Sequence, residues 1–176
     1  MTETELLQKL DPWVKNLAED TQVMRRALDS SDITREAKRF ILGGLSYMLR
    51  KVDIIPDYLG GIGVLDDAAV MRVTAKLALD AGVPNADVAF ARLAADDTLV
   101  RELFADMYDT FVNYVRKLPE ERIRNRNADH ILDEEGCLEQ FDRELEDEIR
   151  GYTPKPLGDN ERTIREFRSF IKSKVR

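Results

Sequence analysis

The stretch Lys51–Val70, KVDIIPDYLGGIGVLDDAAV, lies between two strongly helical patterns and decides how they are joined. Pro56 lacks an amide hydrogen and favours extended geometry at Ile55, so the preceding helix is predicted to end before it. A glycine-rich turn follows, and then Asp66 or Asp67 is placed to cap the positive end of the next helix. The apolar residues predicted to fix this corner in the core are Ile54, Ile55 and Leu65. The stretch therefore predicts a rigid corner between two helices.

The segments on either side read as helix almost throughout, because apolar residues recur at helical spacing. A first helical segment has a predicted joint at Asp11–Pro12, and a stronger helix is predicted from Asp32 or Thr34 to Lys51. The pair Gly43–Gly44 inside it is tolerable if another helix packs closely there. After the corner, helices are predicted over about Asp66–Ala81 and, as one long amphipathic helix, over Leu99–Leu118. No strand pattern survives.

Composition divides the chain into parts. The predicted division is a helical domain over 1–118, an acidic helical extension over 119–150, a Gly- and Pro-containing linker over 151–160, and a basic amphipathic helix over 161–176. The predicted fold class is all-α, a compact helical bundle with a C-terminal amphipathic helical arm.

The bulk composition narrows the class of protein. The chain has 176 residues, is 43% hydrophobic and 35% charged, and carries a net charge of −7. These values argue against wholesale disorder and against nucleic-acid binding by the whole protein. The most apolar run, Phe40–Leu49, is about half as long as a membrane span. Peripheral membrane contact is possible but not favoured, because the overall charge is negative. Together with a polar N-terminus and a single cysteine, this predicts a cytoplasmic protein.

Two readings are open for the acids of the corner. Asp53, Asp57, Asp66 and Asp67 could converge on a hard cation such as Mg²⁺ or Ca²⁺, which prefers oxygen ligands. Alternatively they cap helices or pair with nearby bases, which is the usual role of such acids. Their spacing does not match the EF-hand loop, and the glycine turn lacks the Lys-Ser/Thr ending of a phosphate loop. We favour the structural reading, with no metal and no cofactor.

The other residues that could ligate a metal or take part in catalysis are isolated in the sequence. His130, with Asp133 and Glu134 nearby, could ligate a metal or act as a base, but a surface role is favoured. Cys137 lacks a neighbouring basic activator and is predicted to be a buried or idle thiol. No catalytic residue is predicted.

The charge is distributed unevenly. The last sixteen residues hold six bases against two acids, whereas the segment Asp133–Glu148 is strongly acidic. The basic stretch 116–127 and the C-terminal helix could touch nucleic acid or anionic lipid, but salt bridging to the acidic run of the same or a neighbouring chain is favoured. The arm needs a cover for its apolar face, which the body of the same chain, a second copy or a partner could provide. Asp133–Glu148 is the best local candidate for that cover. The arm residues predicted to bind a partner are Ile164, Phe167, Ile171 and Val175.

The corner also resembles a known motif. Within about residues 36–80, the sequence is similar to the core of the YkvA-like family, a small bacterial domain of unknown function. The family pattern runs Tyr, Pro-x-Asp-Leu-Ile-Pro-Asp, a Gly-containing turn and Leu-Asp-Asp-Ala. The residues that would form the structural motif or a binding site are Tyr47, Asp53, Pro56, Asp57, Gly63, Asp66 and Asp67.

The chain also departs from the family pattern. The family's first proline falls at Lys51 here, so the preceding helix could run further. Many members carry a hydrophobic membrane segment after the motif, but Ala68–Ala81 contains Arg72, Lys76 and Asp80. The resemblance implies no settled activity.

The predicted function is a non-catalytic helical interaction or scaffold module that binds a protein partner or itself. The alternative is a metal-dependent enzyme or a divalent-cation-binding protein that uses the four aspartates. The lack of a paired nucleophile and base in the sequence favours the first reading.

Overall fold

The computed structural model describes residues 1–50, 57–157 and 162–175, and for residues 57–60 it describes the backbone alone. All regular structure within these ranges is helical, and the only β-type pairing there is an isolated bridge between Ile123 and Arg126. The α-helices are α1 (Glu3–Lys15), α2 (Leu17–Ala27), α3 (Arg35–Tyr47), α4 (Leu65–Gly82), α5 (Val88–Ala95), α6 (Asp97–Phe104), α7 (Tyr108–Lys117), α8 (Ala128–Asp133), α9 (Cys137–Gly151) and α10 (Arg162–Lys174). Short 3-10 segments cover Asp57–Val64, Ala105–Met107 and Leu118–Glu120. The predicted all-α fold class is confirmed.

Helix α4 lies at the centre of the fold. It packs most extensively on α3, and α1, α2, α5, α6 and α7 also contact it. Ala68, Ala69, Ala75 and Ala78 are all fully buried. Small side chains on several faces of one helix let neighbouring helices approach it from different sides. The alanine-rich composition thus makes α4 a core helix rather than a surface helix.

The paired glycines of α3 lie where two other segments approach closely. A Cβ atom on Gly44 would lie 2.7 Å from Cγ2 of Thr74 in α4, and a Cβ atom on Gly43 would lie 2.6 Å from the backbone nitrogen of Pro119. Both distances are far below van der Waals contact. The condition for tolerating the glycine pair, close packing by another helix, is therefore met at Gly44.

Substitution of Gly44 by alanine should lower the free energy of unfolding by about 1–3 kcal/mol, because overpacking against Thr74 outweighs the gain in helix propensity. Urea denaturation measures this loss. Gly151→Ala is the matched control, since a Cβ atom there meets nothing within 4 Å, and it should leave the stability unchanged or slightly raised. Equal stabilities of the two variants would contradict the close packing.

The predicted joint at Asp11–Pro12 is wrong, because α1 continues through Pro12. A capping box formed by Thr2 and Glu5 begins the helix, and the break comes only at Asn16. Trp13 and Val14 follow the proline and are both buried. Their burial holds the backbone helical although a proline inside a helix costs about 3 kcal/mol.

The single long helix predicted over Leu99–Leu118 is also wrong, since α6 and α7 are separate. Ala105 has a positive φ of 50°, which an L-residue adopts only at an energetic cost. The break lets Phe104 and Phe111 stack with ring centroids 3.8 Å apart. Because the apolar stripe continues across the break, its spacing alone indicates one helix.

The corner itself differs in detail from the prediction. Helix α3 ends at Tyr47, four residues before the predicted end, and the glycine turn is instead the 3-10 segment Asp57–Val64. Leu65 is fully buried as predicted, whereas Ile54 and Ile55 lie outside the described residues.

The C-terminal third packs back onto the body. Helix α8 contacts both α3 and α9. The segment 152–157 has no regular structure, yet Leu157 is buried and the Tyr152 hydroxyl donates a hydrogen bond to the Val14 carbonyl. Residues 158–160 of the predicted linker lie outside the described part, and the four-part division stays a prediction.

Candidate functional site at the acidic corner

A buried hydrogen bond ties the end of α3 to the start of α4. Tyr47 is fully buried, and its hydroxyl donates to Oδ2 of Asp66 over 2.7 Å. Burial, and next the carboxylate of Asp66, raise the pKa of Tyr47 well above its ordinary value. The tyrosine therefore stays protonated and remains a donor.

The predicted helix cap at Asp66 or Asp67 is wrong. The residue before α4 is Val64, and no side chain caps it. Both aspartates lie inside the first turn and are buried. The 3-10 segment leads directly into α4, so the chain makes no extended entry where a capping side chain could reach back. Their negative charge still lies at the favourable end of the helix.

Arg50 connects this corner to α7 and the segment after it. Its guanidinium donates to the Tyr114 hydroxyl, pairs with Glu121 and lies over the Tyr47 ring, 5.4 Å from the ring centre. The rings of Tyr47 and Tyr114 meet edge to face at 6.3 Å. The corner is thus held by aromatic and charged contacts together.

A cleft of about 400 Å³ opens beside the corner. The apolar part of the cleft wall is formed by Leu17, Met48 and Val64. Charged groups of both signs also line the cleft. Burial, and next the charge of Asp67, raise the pKa of Tyr152 at the cleft to about 12. The charged residues that line the cleft are Arg50, Asp67, Asp147, Glu148 and Lys155. Such a cleft can form ion pairs and hydrogen bonds with a small polar group.

The structure brings together only some of the predicted motif residues. Tyr47, Asp66 and Asp67 meet at the corner, and Gly63 is buried in the 3-10 segment that Asp57 begins. Asp53 and Pro56 lie outside the described residues, as does the side chain of Asp57. In the part of the chain that the structure describes, no group of three or more His, Cys, Asp or Glu residues is placed to hold a metal ion. The role of the four-aspartate cluster stays a prediction.

The sequence prediction missed a buried charge network within the same motif. Arg72 of α4 donates from Nη2 to Asp20 over 2.8 Å and from Nε to Asp96 over 3.2 Å. Its Nη1 donates to the Ala68 carbonyl, and its guanidinium lies 4.3 Å from the ring centre of Trp13. Burial lowers the pKa of Arg72 and raises that of Asp20, and the attraction between them opposes both shifts.

One feature of the sequence could have predicted that Arg72 is buried with a partner. Arg72 is the only base between Leu65 and Ala75, a run that is otherwise apolar or small after its two acids. A lone base in such a run indicates burial with a partner. Helical spacing does not show that the partner lies in α2.

The C-terminal helix is covered by its own chain. The arm residues Ile164, Phe167, Ile171 and Val175 are all buried. Phe167 packs edge to face on Phe104 at 5.3 Å, and Arg168 donates to the carbonyls of Leu103 and Glu102 at the end of α6.

The expectation that Asp133–Glu148 covers the arm is wrong, because α10 packs on α6. The end of α6 offers both apolar surface and carbonyl acceptors. Partner binding through the four arm residues stays a prediction.

The other candidate residues have structural contacts. His130 takes part in the capping box of α8 with Asn127. Burial and the nearby Glu134 carboxylate raise the pKa of Cys137, so its thiol is a weak nucleophile. Arg124 and Arg126 both pair with Glu144. The predicted salt bridging between the basic stretch and the acidic run is thus confirmed for these two arginines.

Comparison with known proteins finds one family model that matches the region around the corner. Residues 37–72 match the model of a family described as Protein of unknown function (DUF1232). No curated protein and no solved structure matches the chain significantly. In the described residues, no helix is both long enough and apolar enough to cross a membrane. The match over residues 37–72 is consistent with the resemblance to YkvA-like proteins.

Proposed function

We propose that the protein is a non-catalytic helical interaction module, which binds a protein partner or a second copy of itself through charged helical surfaces. The observation that carries this proposal is the arrangement of α10. Its apolar face packs against α6, while the rest of its surface displays bases to solvent. The exposed bases are Arg162, Arg165, Lys172 and Lys174.

The corner supports a structural role for the family motif. Tyr47 and Asp66 join two helices, and Arg50 is engaged by Tyr114 and Glu121. These contacts stabilise the packing of α3 against α4 and α7. A rigid body of this kind suits a protein whose surface presents charges in fixed positions.

The charge of α10 contrasts with the rest of the molecule. The helix holds five bases and one acid, in a protein whose net charge is −7. Opposite charges on separate faces steer association with a complementary surface and fix its register. The proposal therefore predicts binding that weakens as salt is added.

The double variant Arg165→Glu/Lys172→Glu tests the proposal. Both residues are exposed and seven positions apart, so they share one face of α10. In affinity purification from the native host, wild type should retain a defined, salt-sensitive set of proteins, and the variant should lose it. The control Arg165→Lys/Lys172→Arg keeps the charge and should retain the set. Identical sets for wild type and the charge-reversed variant would contradict the proposal.

The cation-binding alternative has its own test. We expect calorimetric titration with Mg²⁺, Ca²⁺ and Mn²⁺ to show no micromolar binding, because Asp66 already accepts a hydrogen bond from Tyr47. Asp57→Asn serves as the comparison, and Asp109→Asn, an exposed acid of α7, is the control. Micromolar binding that is lost in Asp57→Asn and kept in Asp109→Asn would favour the alternative.

A further inference from the structure

We infer that a partner of this chain is a second copy of itself, with the basic face of α10 of one copy bound to the acidic face of α9 of the other. This inference rests on the proposed function and names its partner. The charge of the two helices motivates it, since α9 holds six acids and two bases whereas α10 holds five bases and one acid. The two helices are therefore matched at net charges of −4 and +4.

The acidic side has charges that no residue in the described ranges neutralises. Asp142 pairs with Arg25, and Glu144 pairs with Arg124 and Arg126. Three further acids of α9 are exposed and form no ion pair with any residue in the described ranges: Glu139, Glu146 and Glu148. Glu139 and Glu146 are seven positions apart and share one face of the helix. This face can accept a basic partner.

The basic side has a matching pair. Arg165 and Lys172 are also seven positions apart on one exposed face. Arg165 lies 3.6 Å from Glu3 in a pair whose arginine is 67% exposed and whose glutamate is 31% exposed, and ion pairs this accessible to water contribute little. Lys172 forms no ion pair within the part of the chain that is described. Both cations are thus available to a second molecule.

The fold directs this contact to another copy. Phe167 and Arg168 hold α10 on α6, whereas α9 packs on α8. Bringing the two helices together within one chain would require α10 to leave its buried site. A second copy can meet both surfaces without that change. Two copies related by a twofold axis would form the contact twice, which closes the dimer.

The acidity of the rest of the molecule favours this occupant over an anionic membrane. Outside residues 161–176 the chain carries a net charge of −11, which repels an anionic surface as the molecule approaches it. Two copies, each with a net charge of −7, also repel at long range, but the contact of the acidic α9 face with the basic α10 face forms twice and is attractive at short range.

Sedimentation velocity on the purified full chain tests the inference. At low salt, the mass should double as concentration rises, and the dimer should dissociate at about 1 M salt, where charges are screened within about 3 Å. Arg165→Glu/Lys172→Glu and Glu139→Lys/Glu146→Lys should each be monomeric. Mixing these two variants should restore the dimer, because each reversed face then meets a complementary one. Circular dichroism on each variant confirms that the helices are intact.

The outcomes separate the inference from the proposed function. A wild-type chain that stays monomeric but still retains host partners through Arg165 and Lys172 overturns the inference alone. A monomer that retains no host partner overturns both. A dimer that survives both reversals, or variants that fail to associate when mixed, also overturns the inference. Monomers that bind phosphatidylserine vesicles and lose this binding in Arg165→Glu/Lys172→Glu would identify a lipid surface instead.

Discussion

Replacement of Arg72 by methionine is expected to lower the free energy of unfolding by about 3–5 kcal/mol, because the buried Asp20 carboxylate loses its hydrogen-bonded cation and keeps only the exposed Arg92, 4.0 Å away. Arg72 and Asp20 are only 4% and 1% exposed. Methionine keeps much of the side-chain volume, so the loss reports charge rather than a cavity. Urea denaturation near neutral pH measures it. Lys76→Met is the control on the same helix, since its partner Asp80 is exposed, and should change stability by about 0.5 kcal/mol or less.

Two further measurements distinguish the buried charge from other causes. The double variant Arg72→Met/Asp20→Leu should recover most of the loss, because an apolar pair of similar volume carries no desolvation penalty. The loss in free energy of unfolding caused by Arg72→Met should also become smaller as the pH falls. Without Arg72, burial raises the folded-state pKa of Asp20 further above its unfolded value, so protonation at acid pH removes the penalty. A deficit that is independent of pH and remains in the double variant would contradict this explanation.

Substitution of Phe167 by aspartate is expected to release α10 from the body. Truncation of a buried phenylalanine already costs about 3–5 kcal/mol, and a buried charge adds to that cost. A helix of this length is marginal in water without a surface to pack on. Amide hydrogen exchange over 162–174 should therefore become fast, and the end of α6 should fray, since Arg168 no longer holds its last carbonyls.

The matched control for the release of α10 is Ser169→Asp. It introduces the same charge on the exposed side of the helix, and exchange over 162–174 should stay slow. If Phe167→Asp also left exchange slow, the contact of α10 with Phe104 would not be what holds the helix.

Periodicity predicted most of the helices and the buried face of the arm. Ile164, Phe167 and Ile171 follow the spacing of one helix face, and all three are buried. The failures occur where tertiary contacts override local preference. Burial of Trp13 keeps α1 helical through Pro12, and the stacked phenylalanines stabilise the break at Ala105.

The candidate site was predicted in part. The Leu-Asp-Asp-Ala signature located Asp66 and Asp67 at the start of α4, but it could not show that Tyr47 donates to Asp66, because their contact depends on how two helices meet. The same limit applies to Arg72. Its lone charge indicates a buried partner, whereas the identity of Asp20 depends on the packing of α2 against α4.

The packing of Gly43 against Pro119 has a consequence for the synthesis of the chain on the ribosome. The residue that packs against Gly43 is Pro119, which is synthesised 76 residues later. The N-terminal helices therefore leave the exit tunnel before the segment that covers them exists, and their apolar surface is exposed meanwhile. The folded core can close only once the chain beyond Pro119 has emerged. We expect nascent chains that stall before this point to be the ones that chaperones bind.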